Sequence, residues 1–146
     1  MSDPYNLRRF VDAQRPIYDD VCRELREGRK RSHWMWFIFP QIEGLGHSTL
    51  AREYAIASLE EAEAYLQHPV LGPRLEECAR LVAAINARSI EDIFGYPDYI
   101  KFHSSMTLFS QVPHHREIFE ECLKKYFGGE PDSATLTTLK NKGRME

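Results

Sequence analysis

Apolar residues recur at helical spacing along most of the chain. Leu7 and Phe10 begin the series, and Val21 and Leu25 continue it after a break at Arg15–Pro16. Proline restricts the residue before it and is well tolerated in the first turn of a helix. The N-terminal pattern therefore predicts one bent helix or two short ones.

Capping residues, prolines and glycines mark the remaining helices. In chain order the signals are the Gly28 C-cap, the Ser48 or Thr49 N-cap, the Ser58–Glu61 capping box, the His68–Pro69 break, Pro73, the Ser89 cap of a short turn ending at Gly95, Pro97–Asp98 at the start of a helix to about Ser110, Pro113, Gly128–Gly129 and the Asp132 cap. No stretch shows sustained period-two alternation. We therefore predict an all-α fold: a single multihelical domain over residues 1–146, with about seven short helices in irregular orthogonal packing and a tail that frays from about residue 140.

The run Trp34–Phe39 consists of six consecutive apolar residues and ends before Pro40. It is too short to identify as a helix from its pattern. A residue before proline favours extended backbone. The run is compatible with a buried extended or irregular segment, and its pattern leaves open whether it is extended or helical.

Composition excludes several classes of protein. The 19 Lys and Arg against 22 Asp and Glu give a net charge of -3, so we expect neither an extended nucleic-acid surface nor attraction to an anionic membrane. No apolar run is long enough to span a bilayer, and the N-terminus lacks the apolar region of a signal peptide. We predict a cytoplasmic protein with no membrane partner.

The histidines and cysteines show no metal-binding pattern. The six histidines lack His-x-x-x-His spacing, and Cys22, Cys78 and Cys122 lie far apart without a Cys-x-x-Cys pair. This argues against a zinc site and a disulfide framework. We expect no metal and no cofactor, and reduced thiols in or near the core.

Gly44 and Gly46 precede Ser48 at a predicted helix start. Free N–H groups there, with Arg52 one turn on, could hold phosphate or carboxylate. The alternative is an ordinary tight turn followed by an N-cap.

A basic cluster, Arg29–Arg31 with His33, comes directly before both tryptophans. The cations could pair with an anion while Trp34 or Trp36 stacks a base or another flat ring. The alternative is a solvated turn followed by core tryptophans.

The second candidate segment runs from Asp98 to Thr107. Lys101, Ser104 and Thr107 recur every third residue and so lie near one helix face, where Asp98 can pair with Lys101. Mid-helix serines are locally unfavourable, which suggests a ligand hydrogen bond. The alternative is that small hydroxyls permit close helix packing. The Ser-x-x-Lys order of a serine–lysine hydrolase is absent.

Five segments carry a resemblance over nearly the whole chain: RFVDAQ, GRKRSHWMWFIFPQIEGLG, YAIASLEEAEAYLQHPVLGPRL, DYIKFHSSMTLF and GGEPDSATL. They resemble an uncharacterised, mostly bacterial helical family, domain of unknown function 1810, sometimes mislabelled calpastatin. This implies a compact multihelical domain without an assigned activity. The order of the Trp–Phe run, the Tyr54 helix and the Lys101 segment is more faintly similar to the NADAR group, which cleaves N-glycosidic bonds of ADP-ribosyl compounds. By position, that likeness implies roles for Lys101 and Glu53.

Together these patterns predict a cleft between Trp34–Thr49 and Asp98–Thr107 that binds a phosphate-bearing nucleotide or ADP-ribose-like ligand. Hydrolysis of the N-glycosidic bond of that ligand is a candidate activity, and the patterns leave open whether the protein is an enzyme. The predicted catalytic residues are Lys101, Asp98 and Glu53. The predicted ligand-binding residues are Trp34, Trp36, Gln41, Gly44, Gly46, Ser48, Arg52, Tyr54, Ser104, Ser105 and Thr107. The rival hypothesis is a non-enzymatic interaction or regulatory domain whose protein partner is unknown.

Overall fold

A computed structural model describes residues 2–114 and 117–144 and shows an all-helical chain. Within those ranges there are ten α-helices. They are α1 Arg8–Gln14, α2 Tyr18–Arg26, α3 Met35–Ile38, α4 Thr49–Glu53, α5 Leu59–Gln67, α6 Leu71–Ala83, α7 Ile90–Phe94, α8 Asp98–Ser110, α9 Ile118–Phe127 and α10 Ser133–Arg144.

The central element is α8. It packs against α3, α5, α7, α9 and α10, and most of its length is buried. A helix surrounded on all sides needs no polar stripe, which accounts for the weak amphipathic pattern of this segment. A second layer forms where α6 packs against α2, α5 and α9. The first turn of α8, with Asp98 and Lys101, is less buried and faces the site described below.

Within the Trp34–Phe39 run, Met35–Ile38 form one helical turn, α3, which answers the choice between extended and helical backbone that the sequence left open. Trp34, Met35, Ile38 and Phe39 are buried, whereas Trp36 is only half-buried. Those four buried positions follow the i, i+1, i+4, i+5 spacing of one helical face, whereas an extended chain would send alternate residues to opposite sides. Burial of four large side chains on one side thus decides the local conformation.

The described residues form more helices than the predicted number of about seven, because several short helices are separate elements. The residues around Pro16 divide α1 from α2, and α3 and α7 are only four and five residues long. Local signals located most boundaries well: Ser58 Oγ accepts from Glu61 N–H at 3.1 Å, and α8 runs from Asp98 to Ser110 as predicted. The last helix, α10, runs to Arg144, and fraying of the tail from about residue 140 stays a prediction.

Candidate functional site

A narrow cleft lies between α3, the segment that follows it, α4 and the first turn of α8. Of the residues predicted for a site, those that line it are Trp36, Gln41, Gly44, Gly46, Tyr54 and Lys101, and the rest of the wall is Met35, Phe39, Ile42, Ala51 and Ala55. We call it the Trp36 cleft. Its free volume is about 10 Å³, close to the space that one water molecule needs. A larger ligand therefore requires the walls to move apart.

The segment between α3 and α4 is held by a short backbone pairing. Ile42 forms an isolated parallel bridge with Ile56, in which Ile56 N–H donates to Gln41 C=O and Glu43 N–H donates to Ile56 C=O, both at 2.8 Å. Gly46 then passes so close to α4 that a Cβ there would lie 2.6 Å from the Ala51 Cβ. Glycine is therefore needed for close packing at the cleft wall.

Two lysines share one carboxylate at the edge of the cleft. Lys30 Nζ lies 2.8 Å from Asp98 Oδ2, and Lys101 Nζ lies 3.7 Å from Asp98 Oδ1. The three side chains are only 8%, 23% and 19% exposed for Lys30, Lys101 and Asp98. With two lysines and one carboxylate, the cluster has a net formal charge of +1. In a partly desolvated position this excess charge favours an anion.

Each of these lysines also lies over a tryptophan ring. Lys101 Nζ is 5.0 Å from the Trp36 ring centroid, and Lys30 Nζ is 5.3 Å from that of Trp34. Both distances are within the range of cation–π attraction. The Lys101 ammonium therefore covers the aromatic face on which a flat ligand ring would stack.

The indole N–H of Trp36 is buried and has no hydrogen-bond acceptor in the part of the chain that the structure describes. An unsatisfied buried donor costs about 1 to 3 kcal/mol. Such groups are rare in folded proteins and occur where a water, an ion or a ligand completes the bond. Trp36, which lines the cleft, therefore has an indole donor that no described group uses.

Tyr54 forms the opposite wall. Its ring packs against Phe10 and Phe37, with centroid separations of 5.7 and 5.3 Å. Burial raises the pKa of the Tyr54 hydroxyl, and the negative charge of Glu53 raises it further. The phenol is thus a neutral hydrogen-bonding group at physiological pH.

Trp34 lies in the core and does not line the cleft. It is 1% exposed, and its indole Nε1 donates to Glu24 Oε1 at 3.0 Å. It packs against Phe39 and Phe94, with centroid separations of 6.2 and 6.4 Å. The Trp34 ring therefore packs against other side chains of the protein, which agrees with the alternative that Trp34 is a core residue.

The hydroxyls of α8 bond within the protein. Ser104 Oγ donates to Asp132 Oδ2 at 3.0 Å, and Thr107 Oγ1 accepts from Asp132 N–H at 2.8 Å. These contacts hold the start of α10 against α8. Ser105 is fully buried, and its hydroxyl has no partner among the described residues. None of the three lines the Trp36 cleft.

Some of the residues in and beside α4 line the cleft, whereas others have a structural role or are exposed. Ser48 Oγ accepts from Ala51 N–H at 3.1 Å, so it acts as the helix cap. Arg52 and Glu53 are exposed and do not line the cleft. The carbonyl of Glu53 accepts from Arg9 Nε at 2.8 Å. Ala51 of α4 and Tyr54, which directly follows α4, line the cleft.

Two residues that matter here were not among the predicted site residues. Lys30 belonged to the basic cluster, but only the fold brings it to Asp98. Glu24 accepts from Arg31 N–H at 2.7 Å and from Ser32 Oγ at 2.6 Å, and so anchors the basic segment. Its sequence signal is its position one residue before Leu25 and three after Val21, on the apolar face of α2. A carboxylate there needs buried donors.

No group of three or more His, Cys, Asp or Glu side chains within residues 2–114 and 117–144 could hold a metal ion. Every helix in those ranges is also too short or too polar to cross a membrane.

The sequence matches the family described as "Protein of unknown function (DUF1810)" over residues 4–139. The chain belongs to this family. Its structure is similar to the crystal structure of the conserved hypothetical protein Rv1873 from Mycobacterium tuberculosis, with a TM-score of 0.93 and 56% identity over 94% of this chain and 99% of that one. No curated protein matches the chain. The family match supports the predicted helical fold and leaves the NADAR likeness a hypothesis.

Proposed function

We propose that the Trp36 cleft binds a small anionic ligand with a flat ring, of the phosphate-bearing nucleotide or ADP-ribose type. The observation that carries the proposal is the convergence of Trp36, Gln41 and Tyr54 on one cleft with Lys101, which comes from a distant segment of the chain. An aromatic face, an unsatisfied N–H and a cation suit such a ligand. Three unpaired cysteines agree with a cytosolic setting.

Binding on this proposal begins with movement of Lys101. Its ammonium covers the Trp36 ring, and its contact with Asp98 is looser than that of Lys30, at 3.7 Å against 2.8 Å. A phosphate would compete with Asp98 for Lys101 and draw the side chain away from the ring. Lys30 would continue to neutralise Asp98. The ring of the ligand would then take the place of the ammonium on Trp36.

Asp98 and Lys101 also supply the chemistry for hydrolysis of an N-glycosidic bond. Asp98 would take a proton from water while the water oxygen bonds to the anomeric carbon. The bond from that carbon to nitrogen breaks, and the leaving nitrogen takes the proton that Asp98 accepted from the water. Lys101 would stabilise the negative charge of the neighbouring phosphate. Neither Asp98 nor Glu53 lines the cleft itself, but Asp98 contacts Lys101, which does, whereas Glu53 is exposed. We therefore give the acid–base role to Asp98.

Thermal unfolding with AMP, NAD, ADP-ribose and inorganic phosphate tests the proposal. A ligand at about 100 times its Kd stabilises the folded state by about 2.7 kcal/mol, which raises the Tm by several degrees. Lys101→Ala and Trp36→Phe should abolish the rise while their own Tm stays near wild type. Lys140→Ala, at an exposed position of α10, is the control and should keep it. No rise with any compound at millimolar concentration, or a full rise in Lys101→Ala, would exclude this site.

The alternative is a non-enzymatic interaction domain, and one observation favours it. Tyr96 is 79% exposed and Ile100 41% exposed, both beside the first turn of α8. Exposed aromatic and aliphatic side chains of this kind occur at protein interfaces. Under this alternative, Tyr96→Ser would lower partner binding in a pull-down, and no nucleotide would change the Tm.

A further inference from the structure

Two residues that line the Trp36 cleft, Trp36 and Lys101, have donors that no described group accepts. The indole Nε1 of Trp36 is buried and lacks a hydrogen-bond partner in residues 2–114 and 117–144. Lys101 Nζ lies 5.0 Å from the centre of the same ring, and Asp98, the carboxylate that pairs with it, is 3.7 Å away, beyond hydrogen-bond distance. A donor left without an acceptor is costly once it is removed from water. Both donors therefore favour an acceptor that the described side chains do not supply.

The charge around these two donors is positive. Lys30 Nζ lies 2.8 Å from Asp98 Oδ2, so the carboxylate that would repel an anion is already neutralised by the more buried lysine. Lys101 has the looser contact with Asp98 and is the charged residue in the wall of the cleft. Its side chain is only 23% exposed, so water screens its charge only in part. An acceptor beside Lys101 is thus favoured if it is negatively charged.

The Trp36 ring can attract a cation and an anion at the same time. An aromatic ring is negative on its face and positive at its edge. The Lys101 ammonium lies over the face, where a cation is attracted. The indole N–H lies at the edge, which attracts an anion. An anion at this edge is therefore stabilised by the ring, by its N–H and by the neighbouring ammonium.

The size and the wall of the cleft favour a monatomic anion. The free volume of about 10 Å³ is close to that needed for one water molecule, so a phosphate does not fit this conformation. A water must also donate its own two O–H groups, whereas a halide ion only accepts. The apolar side chains of Met35, Phe39 and Ile42 give a water little to donate to. Gln41 and Tyr54, in the same wall, can each add a donor to an anion.

From these contacts we infer that the Trp36 cleft is a halide site, in which one chloride ion accepts from Trp36 Nε1 and from the Lys101 ammonium. Lys30 keeps Asp98 from competing for that ammonium. Chloride binding here depends on the closed cleft and not on the proposed function, because it needs no nucleotide. Where both ligands bind, the ion must leave before a phosphate reaches Lys101, so chloride weakens nucleotide binding.

Chlorine-35 NMR of the full-length chain tests this site in solution. The chloride resonance broadens when the ion exchanges with a protein site, and bromide at constant ionic strength should remove the excess width by competition. Lys101→Met and Trp36→Phe should each weaken chloride binding at least ~10-fold, because a donor to the ion is lost, and most of the excess width should disappear. Lys140→Met, the matched control at an exposed position of α10, should keep it. Circular dichroism first establishes that each variant is folded.

Crystals of the same chain soaked in sodium bromide locate the ion by anomalous diffraction. The expected bromide peak contacts both Trp36 Nε1 and Lys101 Nζ. A water or no peak at this position, or equal line broadening in wild type and Lys101→Met, would overturn the inference. A bromide peak without excess broadening in solution would show an adventitious ion only, which overturns it as well. No nucleotide enters these measurements, so failure of the nucleotide proposal leaves their outcome unchanged.

Discussion

Glu24 is the buried carboxylate that holds the basic segment before α3, and its replacement by glutamine is the most informative stability test. Its Oε1 accepts from Arg31 N–H at 2.7 Å and from Ser32 N–H and Trp34 Nε1 at 3.0 Å. Its Oε2 accepts from Ser32 Oγ at 2.6 Å. The residue is only 3% exposed. All four bonds are thus formed by an ionised acceptor with little access to water.

Glutamine preserves the size of the side chain but removes its charge. Bonds to a charged acceptor exceed neutral ones by roughly 1 kcal/mol each. Over four bonds the loss is partly offset because a neutral amide costs less to bury, which leaves about 2 to 3 kcal/mol. For a chain of this size that corresponds to a fall in Tm of roughly 6 to 10 °C.

The effect has a defined pH dependence. Burial alone would raise the pKa of Glu24, but the bonds from Ser32, Arg31 and Trp34 outweigh it and hold the pKa below its ordinary 4.5. A carboxyl with a lowered folded-state pKa stabilises the fold at pH above its unfolded value, and this stabilisation is lost as the pH falls through the folded-state value. The gap between wild type and Glu24→Gln should therefore close below about pH 4.5.

Urea unfolding followed by circular dichroism, near neutral pH and in acid, measures both effects. Glu27→Gln is the matched control, because Glu27 is at the end of the same helix, 47% exposed, and 3.6 Å from Arg31. An exposed pair of this kind contributes at most about 1 kcal/mol. If Glu24→Gln is as stable as Glu27→Gln near pH 7, or loses stability in acid as wild type does, the charged hydrogen bonds of Glu24 do not stabilise the fold.

Two further substitutions test a buried ion pair and the close packing between α5 and α6. Arg9→Ala removes the guanidinium that pairs with buried Glu61 at 3.0 Å. We expect it to lower the free energy of unfolding in urea by about 3 kcal/mol, because a buried charge loses its partner. A loss below about 1 kcal/mol would contradict this. Gly72→Ala would place a Cβ 2.1 Å from the Leu66 carbonyl oxygen, whereas Gly143→Ala meets nothing within 4 Å. We expect the first to lower the Tm sharply and the second to leave it unchanged or slightly higher, and equal Tm values would show that the α5–α6 corner can relax.

Local chemistry made most helix ends predictable. Ser58 and Ser89 accept from the N–H groups of Glu61 and Asp92, both at 3.1 Å. Gly28 ends α2 with a φ of +82°, a conformation that other residues rarely adopt. These signals act within four residues of one another, so they are legible in the sequence.

The Trp34–Phe39 run could not be predicted in this way. Six apolar residues carry no period, and the choice between an extended segment and a helical turn depends on which side the core occupies. Likewise, the spacing of Ser104 and Thr107 identified a polar helix face but not its partner. That partner is Asp132, which lies more than twenty residues further along the chain.

The sequence predicted the types of residue at the candidate site, but only some of the residues that lie there. The motifs named both Trp36 and Lys101, because an aromatic residue and a cation are recognisable in sequence. They could not distinguish Trp36 from Trp34, since the two differ by which side of a single turn they occupy. Nor could they show that Lys30 reaches Asp98, because that contact joins segments nearly seventy residues apart.

The contrast between the two tryptophans gives the molecule two optical reporters with separate uses. Trp34, sealed in the core and bonded to a carboxylate, should emit at short wavelength until the chain unfolds. Trp36, half-buried beneath an ammonium, should change its emission intensity when anything displaces that charge. Trp34→Phe would leave one indole emitter in the described chain, so titration of the cleft could be followed by intrinsic fluorescence with no added dye.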